Sequence, residues 1–341
     1  MGRPGPAAQP PSRRWPPLGS RWPHRRAAGS GSHTMNAAYT TTVRQLLDIA
    51  PVVFSSPHFA IKGGTAINLF LHDLPRLSVD IDVVFTNHRL NRAAAFEAIA
   101  TELSAISQNL EAMGYEVLQR RNSSNNESKL MVVGPLAEVK VEVNEVFRGT
   151  LLPLQHRSLS PATEEQFAQA VTLPLLSTAE IYGSKLVAAM DRQHPRDLFD
   201  VLVLYDTIGL SPENVDCFVA YLAGHNRPVH EVLAPRLQPL AATFTNQFSG
   251  MTRAEVSLET LEAMRARLVH ELPRALTHQH RDFLLSLVQN QPRWEWMPFP
   301  HLQQLPAIRW KLLNLAKLKG KKRAEQIEQL QACFQQTEET S

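Results

Sequence analysis

The sequence predicts an α+β fold, with a mixed sheet and helices up to about residue 172 and an all-helical half over residues 173–341. Three observations carry this expectation. Apolar residues alternate over 78–85 and strictly over 137–144, the period of half-buried strands. Between those strands, Phe96, Ile99, Leu103, Ile106, Leu110 and Met113 recur at three and four residues. That spacing makes one apolar helix face, suited to covering a sheet. From Leu173 onward the pattern is helical and stays so.

Taken in order, Tyr39–Ile49 reads as a helix ended by Pro51, and Phe59–Lys62 as a short strand. Gly63-Gly64-Thr65 makes a tight turn, Ala66–Leu71 a helix, and Ser78–Phe85 a second strand. The helix over 96–113 closes at Gly114. Tyr115–Leu118 and Lys129–Val133 read as strands joined by a polar loop or hairpin tip, Arg120–Glu127. Ser177 and Glu180 have capping-box spacing and open a helix through Lys185 to Asp191. Pro195 fits the first turn of the next helix, whose Leu198, Val201, Leu202 and Tyr205 form one stripe. Ser211-Pro212-Glu213 starts another helix, and Thr252 with Glu255 a longer one with Val256, Leu258, Leu261, Met264 and Leu268 inward. Further helices are expected near 277–289, 306–318 and 321–335, and no internal repeat is evident.

Composition narrows the function. The formal net charge is +3, but residues 1–35 hold six arginines, no lysine and no acid. The remainder balances at −3, which does not describe a globally basic nucleic-acid binder. The same 35 residues carry seven prolines and lack the continuous apolar run of a secretory signal. They read as a disordered tail, a mis-assigned start or a vector remnant, so the folded protein is expected to begin at Met35. Three segments follow: 1–35, a core over 36–172, and a helical domain over 173–341. Cys217 and Cys333 are too few and too far apart for a disulfide framework or a zinc site, which fits a reducing cytoplasm. No apolar run reaches membrane-spanning length. His72 reads as a hydrogen-bonded surface histidine, and His278 and His280 do not share a helix face.

The most informative stretch is FAIKGGTAINLFLHDLPRLSVDIDVVF, Phe59–Phe85. Asp80 and Asp82 are two apart in a strand, so both carboxylates point to one face. Like charges that close repel unless a cation lies between them. Mg²⁺ held by one or two carboxylates and by nucleotide phosphates supplies that cation. A Gly-Gly turn or an Asp-x-Asp strand is often only structural when it stands alone. In strand–turn–helix–strand order, with Arg76 and Ser78 just upstream, the two together propose a nucleotidyl-transfer site. In 137–144, Lys140, Glu142 and Asn144 make the polar face, read either as a wet edge strand or as placing Glu142 beside the aspartates. In the second case Glu142 is a third carboxylate suited to general-base work.

A second constellation joins Lys185 and Arg192, two helical turns apart, to Arg196, Asp197 and Asp200 across Pro195. Lysine neutralises a triphosphate as a point charge and arginine grips it with its fork. Asp197 would orient these cations or act on the substrate. A helix hairpin laced by surface ion pairs is the alternative.

FAIKGGTAINLFLHDLPRLSVDID and IYGSKLVAAMDRQHPRDLFDVLVLY together resemble the nucleotidyltransferase toxins of the AbiEii/AbiGii family, over Met35 to roughly residue 320. The resemblance implies a DNA polymerase β-like nucleotidyltransferase core, with the helical half appended. It implies that Gly63, Gly64 and Thr65 hold nucleotide phosphates and that Asp80 and Asp82 bind Mg²⁺. Glu142 would be the third carboxylate, Lys185 would meet the triphosphate with Arg192 and Arg196, and Asp197 would match the second motif's acidic site. The superfamily's usual turn is Gly-Ser, where this chain has Gly63-Gly64-Thr65. Family members act in type IV toxin–antitoxin and abortive-infection systems, so a neighbouring winged-helix antitoxin is an implied partner. Some extend or cap the 3′ end of tRNA, which makes a nucleoside triphosphate and tRNA the implied substrates. Arg309, Lys311, Lys317, Lys319, Lys321, Lys322 and Arg323, with Trp294, Trp296 and Trp310, read as an RNA-docking cluster or as a solvated helix end. A protein-nucleotidylating modifier and a non-catalytic nucleotide-binding module are the rival functions.

Overall fold

The computed structural model describes residues 37–122 and 127–339. The expected tail over 1–35 and its boundary at Met35 lie outside the described residues. Helix α1 (Ala37–Val53) leads into β1 (Phe59–Lys62). The chain then turns through α2 (Gly63–Thr65) and a π-helical turn, Ala66–Leu71, into β2 (Asp80–Phe85). Helix α3 (Arg92–Ala112) precedes β3 (Glu116–Asn122), β4 (Glu127–Val133) and β5 (Glu138–Asn144). The sheet is completed by β6 (Gln155–Ser158), α4 (Pro161–Phe167) and β7 (Thr172–Leu175).

Seven strands form one mixed sheet in the order β3-β4-β5-β2-β1-β7-β6. β2 runs parallel to β5 and antiparallel to β1, and β1 runs parallel to β7. On one face, Ile81, Val83 and Phe85 of β2 and Val139, Val141 and Val143 of β5 are buried. Helices α1 and α3 pack over this side. In α3 the spacing of Ala95, Ile99, Leu103, Ile106 and Leu110 puts all five in the core. Burying each large aliphatic side chain contributes roughly 1.5–3 kcal/mol, so this face anchors the helix. Asn91 caps it, accepting from the Ala94 N–H (2.9 Å). The opposite sheet face carries the charged residues of β2, β4 and β5.

The rest of the described chain is helical: α5 (Thr178–Arg192), α6 (Pro195–Thr207), α7 (Pro212–Ala223), α8 (Val229–Leu233) and α9 (Ala241–Gln247). Then come α10 (Leu258–Glu271), α11 (His278–Val288), α12 (Pro306–Ala316) and α13 (Gly320–Glu339). Gly183 lets α5 and α7 touch closely, since a Cβ there would lie 2.4 Å from Cys217 Cβ. Both cysteines are free and buried.

Several sequence expectations need correction. Helix α1 runs through Pro51, which sits in its last turn and costs one backbone hydrogen bond there. Met113 is 51% exposed, because the helix has ended before it and Gly114 turns the chain away. The helical pattern expected from Leu173 starts only at Thr178, and 172–175 is a strand. Pro174 is tolerated because β7 meets β1 at a single register pair, Ile61 with Leu175. The helix expected from Thr252 starts at Leu258, where Ser257 accepts from the Thr260 N–H (3.2 Å). Thr252 instead bridges to Arg76. Of the expected loop at 120–127, Arg120 to Asn122 belong to β3 and Glu127 to β4, while 123–126 lie outside the described residues. β5 is no edge strand, as it lies between β2 and β4.

Candidate active site

The turn after β1 is built around Asp82. Gly63 has φ +73, a left-handed conformation that favours glycine. A Cβ there would lie 2.1 Å from Asp82 Oδ2, so the carboxylate is seated directly on the turn's backbone. A Cβ at Gly64 would meet Arg76 Nη2 at 2.7 Å and Ser78 Oγ at 2.9 Å. Both glycines are therefore needed for the close approach of the segment Arg76–Asp82. Thr65 is fully buried, and its hydroxyl donates to the Asp80 carbonyl and lies 3.0 Å from Ser78 Oγ. It ties β2 to the turn. Asn68 extends this brace by donating to the Gly64 carbonyl (2.8 Å).

Sheet register then sets the carboxylates in a row. Asp82 pairs with Lys62 on β1 and with Glu142 on β5, and Glu142 pairs with Lys129 on β4. Directly opposed residues share a face, so a Lys–Asp–Glu–Lys row crosses four strands. Asp80 pairs with Lys140 one step away. Lys129 Nζ lies 2.5 Å from Glu142 Oε1, and Lys140 Nζ lies 3.3 Å from Glu142 Oε2 and 3.7 Å from Asp80 Oδ1. Burial pushes the Asp82 carboxyl above its ordinary value; Lys62 and Lys185 oppose this, while Asp80 and Glu142 add to it. For Glu142, burial also works upward, but Lys129 and Lys140 outweigh it and hold the carboxyl below its usual range.

The second constellation forms one buried network. Lys185 Nζ donates to Asp197 Oδ1 (3.0 Å) and lies 2.9 Å from Asp200 Oδ2. Arg76 reaches Asp200 with a two-pronged grip, Nε to Oδ1 at 2.7 Å and Nη2 to Oδ2 at 2.6 Å. Arg192 Nη2 donates to both oxygens of Asp197 (3.0 and 2.8 Å) while its own side chain is 62% exposed. Burial would neutralise Lys185, but Asp200 and Asp197 raise its pKa and keep it an ammonium. Burial opposes ionisation of Asp200 too, yet Arg76 and Lys185 bring its pKa down to about 2. The Asn68 amide donates to both the Gly64 carbonyl and Asp200 Oδ1 (3.3 Å), so this network touches the phosphate-turn candidate. Arg196 is half-buried, and its backbone N–H donates to His194 Nδ1 (3.1 Å). His72 Nε2 lies 2.5 Å from the Tyr182 hydroxyl.

Gly63, Gly64, Thr65, Asp80, Asp82, Glu142, Lys185, Asp197 and Arg192 thus gather around β1, β2, β5, α5 and the start of α6. Sequence reasoning gave no site role to Lys62, Lys129 or Lys140, and it named Arg76 and Asp200 beside the two motifs without pairing them. Lys62 and Arg76 stand inside the first motif and Asp200 inside the second, but only the fold brings Arg76 to Asp200. The expected RNA-docking cluster is divided: Arg309 and Trp310 stay together on α12 with Lys317 Nζ 6.0 Å from the Trp310 ring, while other members are engaged elsewhere. Lys311 is buried and donates to the Arg227 carbonyl (2.6 Å), Arg323 donates to Leu315 (2.8 Å), and Trp294 packs on Phe283.

Among the described residues no three His, Cys, Asp or Glu side chains converge as a metal site. Asp80 and Asp82 nevertheless fit a hard divalent cation by donor chemistry, being two carboxylates on one strand face. Glu142 fits less directly, being engaged by two lysines.

The family model described as the nucleotidyl transferase AbiEii toxin of type IV toxin–antitoxin systems matches residues 45–312. Among solved structures, the fold is similar to MenT4, a nucleotidyltransferase toxin from Mycobacterium tuberculosis H37Rv. That likeness has a TM-score of 0.50 at 18% identity and covers 76% of this chain and 96% of that one. No curated protein sequence matches the chain. Among the described residues no helix is long and apolar enough to cross a membrane. With its diglycine turn, paired aspartates and buried Lys–Asp network inside the matched span, the chain belongs to the AbiEii family of nucleotidyltransferase toxins of type IV toxin–antitoxin systems.

Proposed function

We propose that this toxin transfers a nucleoside monophosphate from a nucleoside triphosphate to the 3′ end of tRNA, with Mg²⁺ required. The observation that carries the reading is the seating of Asp82 on the Gly63 turn, since it joins an anion-binding backbone to a carboxylate pair. The substrate hydroxyl attacks the α-phosphorus and gives up its proton to solvent water as its P–O bond forms; the bond to pyrophosphate breaks and pyrophosphate leaves. A divalent cation held by Asp80 and Asp82 would neutralise charge on the entering and departing oxygens. The Gly63 and Gly64 backbone cradles the phosphates, and Thr65 fixes β2 against that turn.

Arg192 is the exposed cation of the second constellation and grips the triphosphate, with Arg196 beside it. Lys185 and Asp197 hold Arg192 in place and keep positive charge behind the turn. Glu142 stands as the third carboxylate; held ionised by Lys129 and Lys140, it suits a ligand's role better than proton abstraction. The family carries the implication of an antitoxin, and we assign it the winged-helix type and a cytoplasmic setting.

The test incubates purified protein with total RNA and each α-³²P-labelled nucleoside triphosphate. Mg²⁺-dependent label in tRNA is expected, abolished by EDTA and by Asp80→Ala, which also relieves growth arrest on overexpression. Label confined to protein bands would overturn the RNA acceptor in favour of a protein hydroxyl. Continued arrest by a folded Asp80→Ala variant would separate toxicity from transfer.

A further inference from the structure

A second cationic site lies at the other end of β2 and β5. The start of α3, the segment after β5 and α12 enclose a cavity of about 360 Å³, a size usual for small-molecule sites. Its lining holds three guanidinium groups, Arg92, Arg148 and Arg309, against one carboxylate, Glu145. Arg148 is only 5% exposed, and its Nε and Nη1 have no hydrogen-bond partner. A buried guanidinium with two unmatched donors is costly unless an acceptor meets it. The neighbourhood makes this worse rather than better. Arg92 and Arg148 stand over the same Phe96 ring, at 5.0 and 5.6 Å. Burial first, and then Arg92, push the Arg148 pKa down, with Glu145 opposing. Glu145 is itself buried and accepts from the Ser128 hydroxyl (2.7 Å).

One wall of the cavity is aromatic and open. Trp310 is 45% exposed, and Arg92 stands 6.0 Å from its ring. An indole face beside clustered guanidinium groups is the combination that stacks a base and holds a phosphate. The cavity is near the reacting groups without sharing them. Glu145 follows Glu142 by three residues and His88 follows Asp82 by six, so their backbones are within roughly 10 and 20 Å.

We propose that this cavity is a second nucleotide pocket, which takes one nucleotide of the acceptor RNA strand, its phosphate on Arg148 and Arg309 and its base against Trp310. The assignment to the acceptor strand rests on the RNA reading above; the phosphate-and-base chemistry does not.

The experiment measures binding of a short fluorescein-labelled oligoribonucleotide to the full chain by anisotropy, with EDTA present and no triphosphate, and competes it with AMP. The oligomer is expected to bind more tightly than AMP. Arg148→Gln and Trp310→Ala should each weaken it about tenfold, and Arg309→Gln should lower the salt slope by about 0.7. Arg148→Gln should also raise the urea midpoint of the free protein, because it removes an unmatched buried charge; an arginine serving only the fold would lower it. Trp310 and Arg309 are exposed, so their variants keep the test valid if Arg148→Gln fails to fold. AMP binding as tightly as the oligomer would overturn the acceptor strand and leave a free-nucleotide pocket. Affinities within about twofold of wild type in Arg148→Gln and Trp310→Ala would overturn the pocket altogether. No transfer chemistry enters this measurement, so a failed pocket leaves the proposed reaction standing. Intact binding with no label in RNA would overturn the reaction alone.

Discussion

Gly63→Ala tests whether the contact between the turn and Asp82 is the reacting geometry. Alanine at φ +73 pays a left-handed backbone cost of roughly 1–2 kcal/mol. Its Cβ would also sit 2.1 Å from Asp82 Oδ2, where ordinary contact begins near 3.4 Å. The carboxylate, or the turn, must therefore retreat by about 1.3 Å. The fold absorbs this more easily than the chemistry does. A displacement of about 1 Å at reacting groups can cost on the order of 10²-fold in rate. We expect urea unfolding to show a loss of about 1–3 kcal/mol, with kcat/KM for label transfer falling at least about 100-fold. The two readouts separate geometry from collapse, since circular dichroism and the unfolding slope should stay at wild-type values. A Gly63→Ala protein that transfers label within about threefold of wild type would refute the reasoning, because Asp82 would then tolerate leaving its seat.

Three further outcomes are expected. Asp200→Ala strands Arg76 in the interior and leaves Lys185 with Asp197 alone, so unfolding should show a loss of about 3–5 kcal/mol; a loss below about 1 kcal/mol would mean that water reaches the network. Arg192→Ala removes an exposed side chain and should cost under about 1 kcal/mol of stability while raising KM for the triphosphate about tenfold; unchanged KM would dismiss it as a phosphate contact. Glu180, buried, has its carboxyl pushed up to about 7 mainly by burial, against donors from Leu151, Leu152 and Tyr221. In the unfolded chain it ionises near 4.5, so between pH 4.5 and 7 the folded state binds the extra proton. Stability should therefore fall by roughly 3 kcal/mol as pH rises through that window, and Glu180→Gln should flatten the profile in urea titrations.

The parts of the candidate site that are local in the chain were legible in the sequence as neighbours on one face. Gly63, Gly64, Asp80 and Asp82 lie within one strand–turn–strand unit, and period-two geometry alone puts the aspartates on one face. Glu142 was legible more weakly. Alternation shows which of its neighbours share its face, but only the parallel pairing with β2 opposes it to Asp82. The pair Arg76–Asp200 was not legible, because its members are 124 residues apart and nothing in either segment names the other. Helix starts failed where two capping signals competed. Thr252 and Glu255 have the right spacing, yet Ser257 wins because Thr252 is held in a bridge with Arg76. The strand β7 was hidden by Pro174, which is unfavourable inside a sheet and is accommodated by sparse pairing with β1.

The charged row explains why the register of β5 cannot slip. Asp82 and Glu142 stand directly opposed, an arrangement that destabilises a sheet when it stands alone. Lys62 on one flank and Lys129 on the other turn it into a sequence of alternating pairs with one like-charged step at the centre. A shift of β5 by one residue would bring Val141 or Val143 to face Asp82 and drive Lys140 and Glu142 into the apolar layer under α1 and α3. Burying those charges costs far more than the central repulsion. The apolar face therefore enforces the repulsive contact on the polar face. A stable sheet holds two carboxylates closer than they would choose to be, which is the condition a shared cation requires.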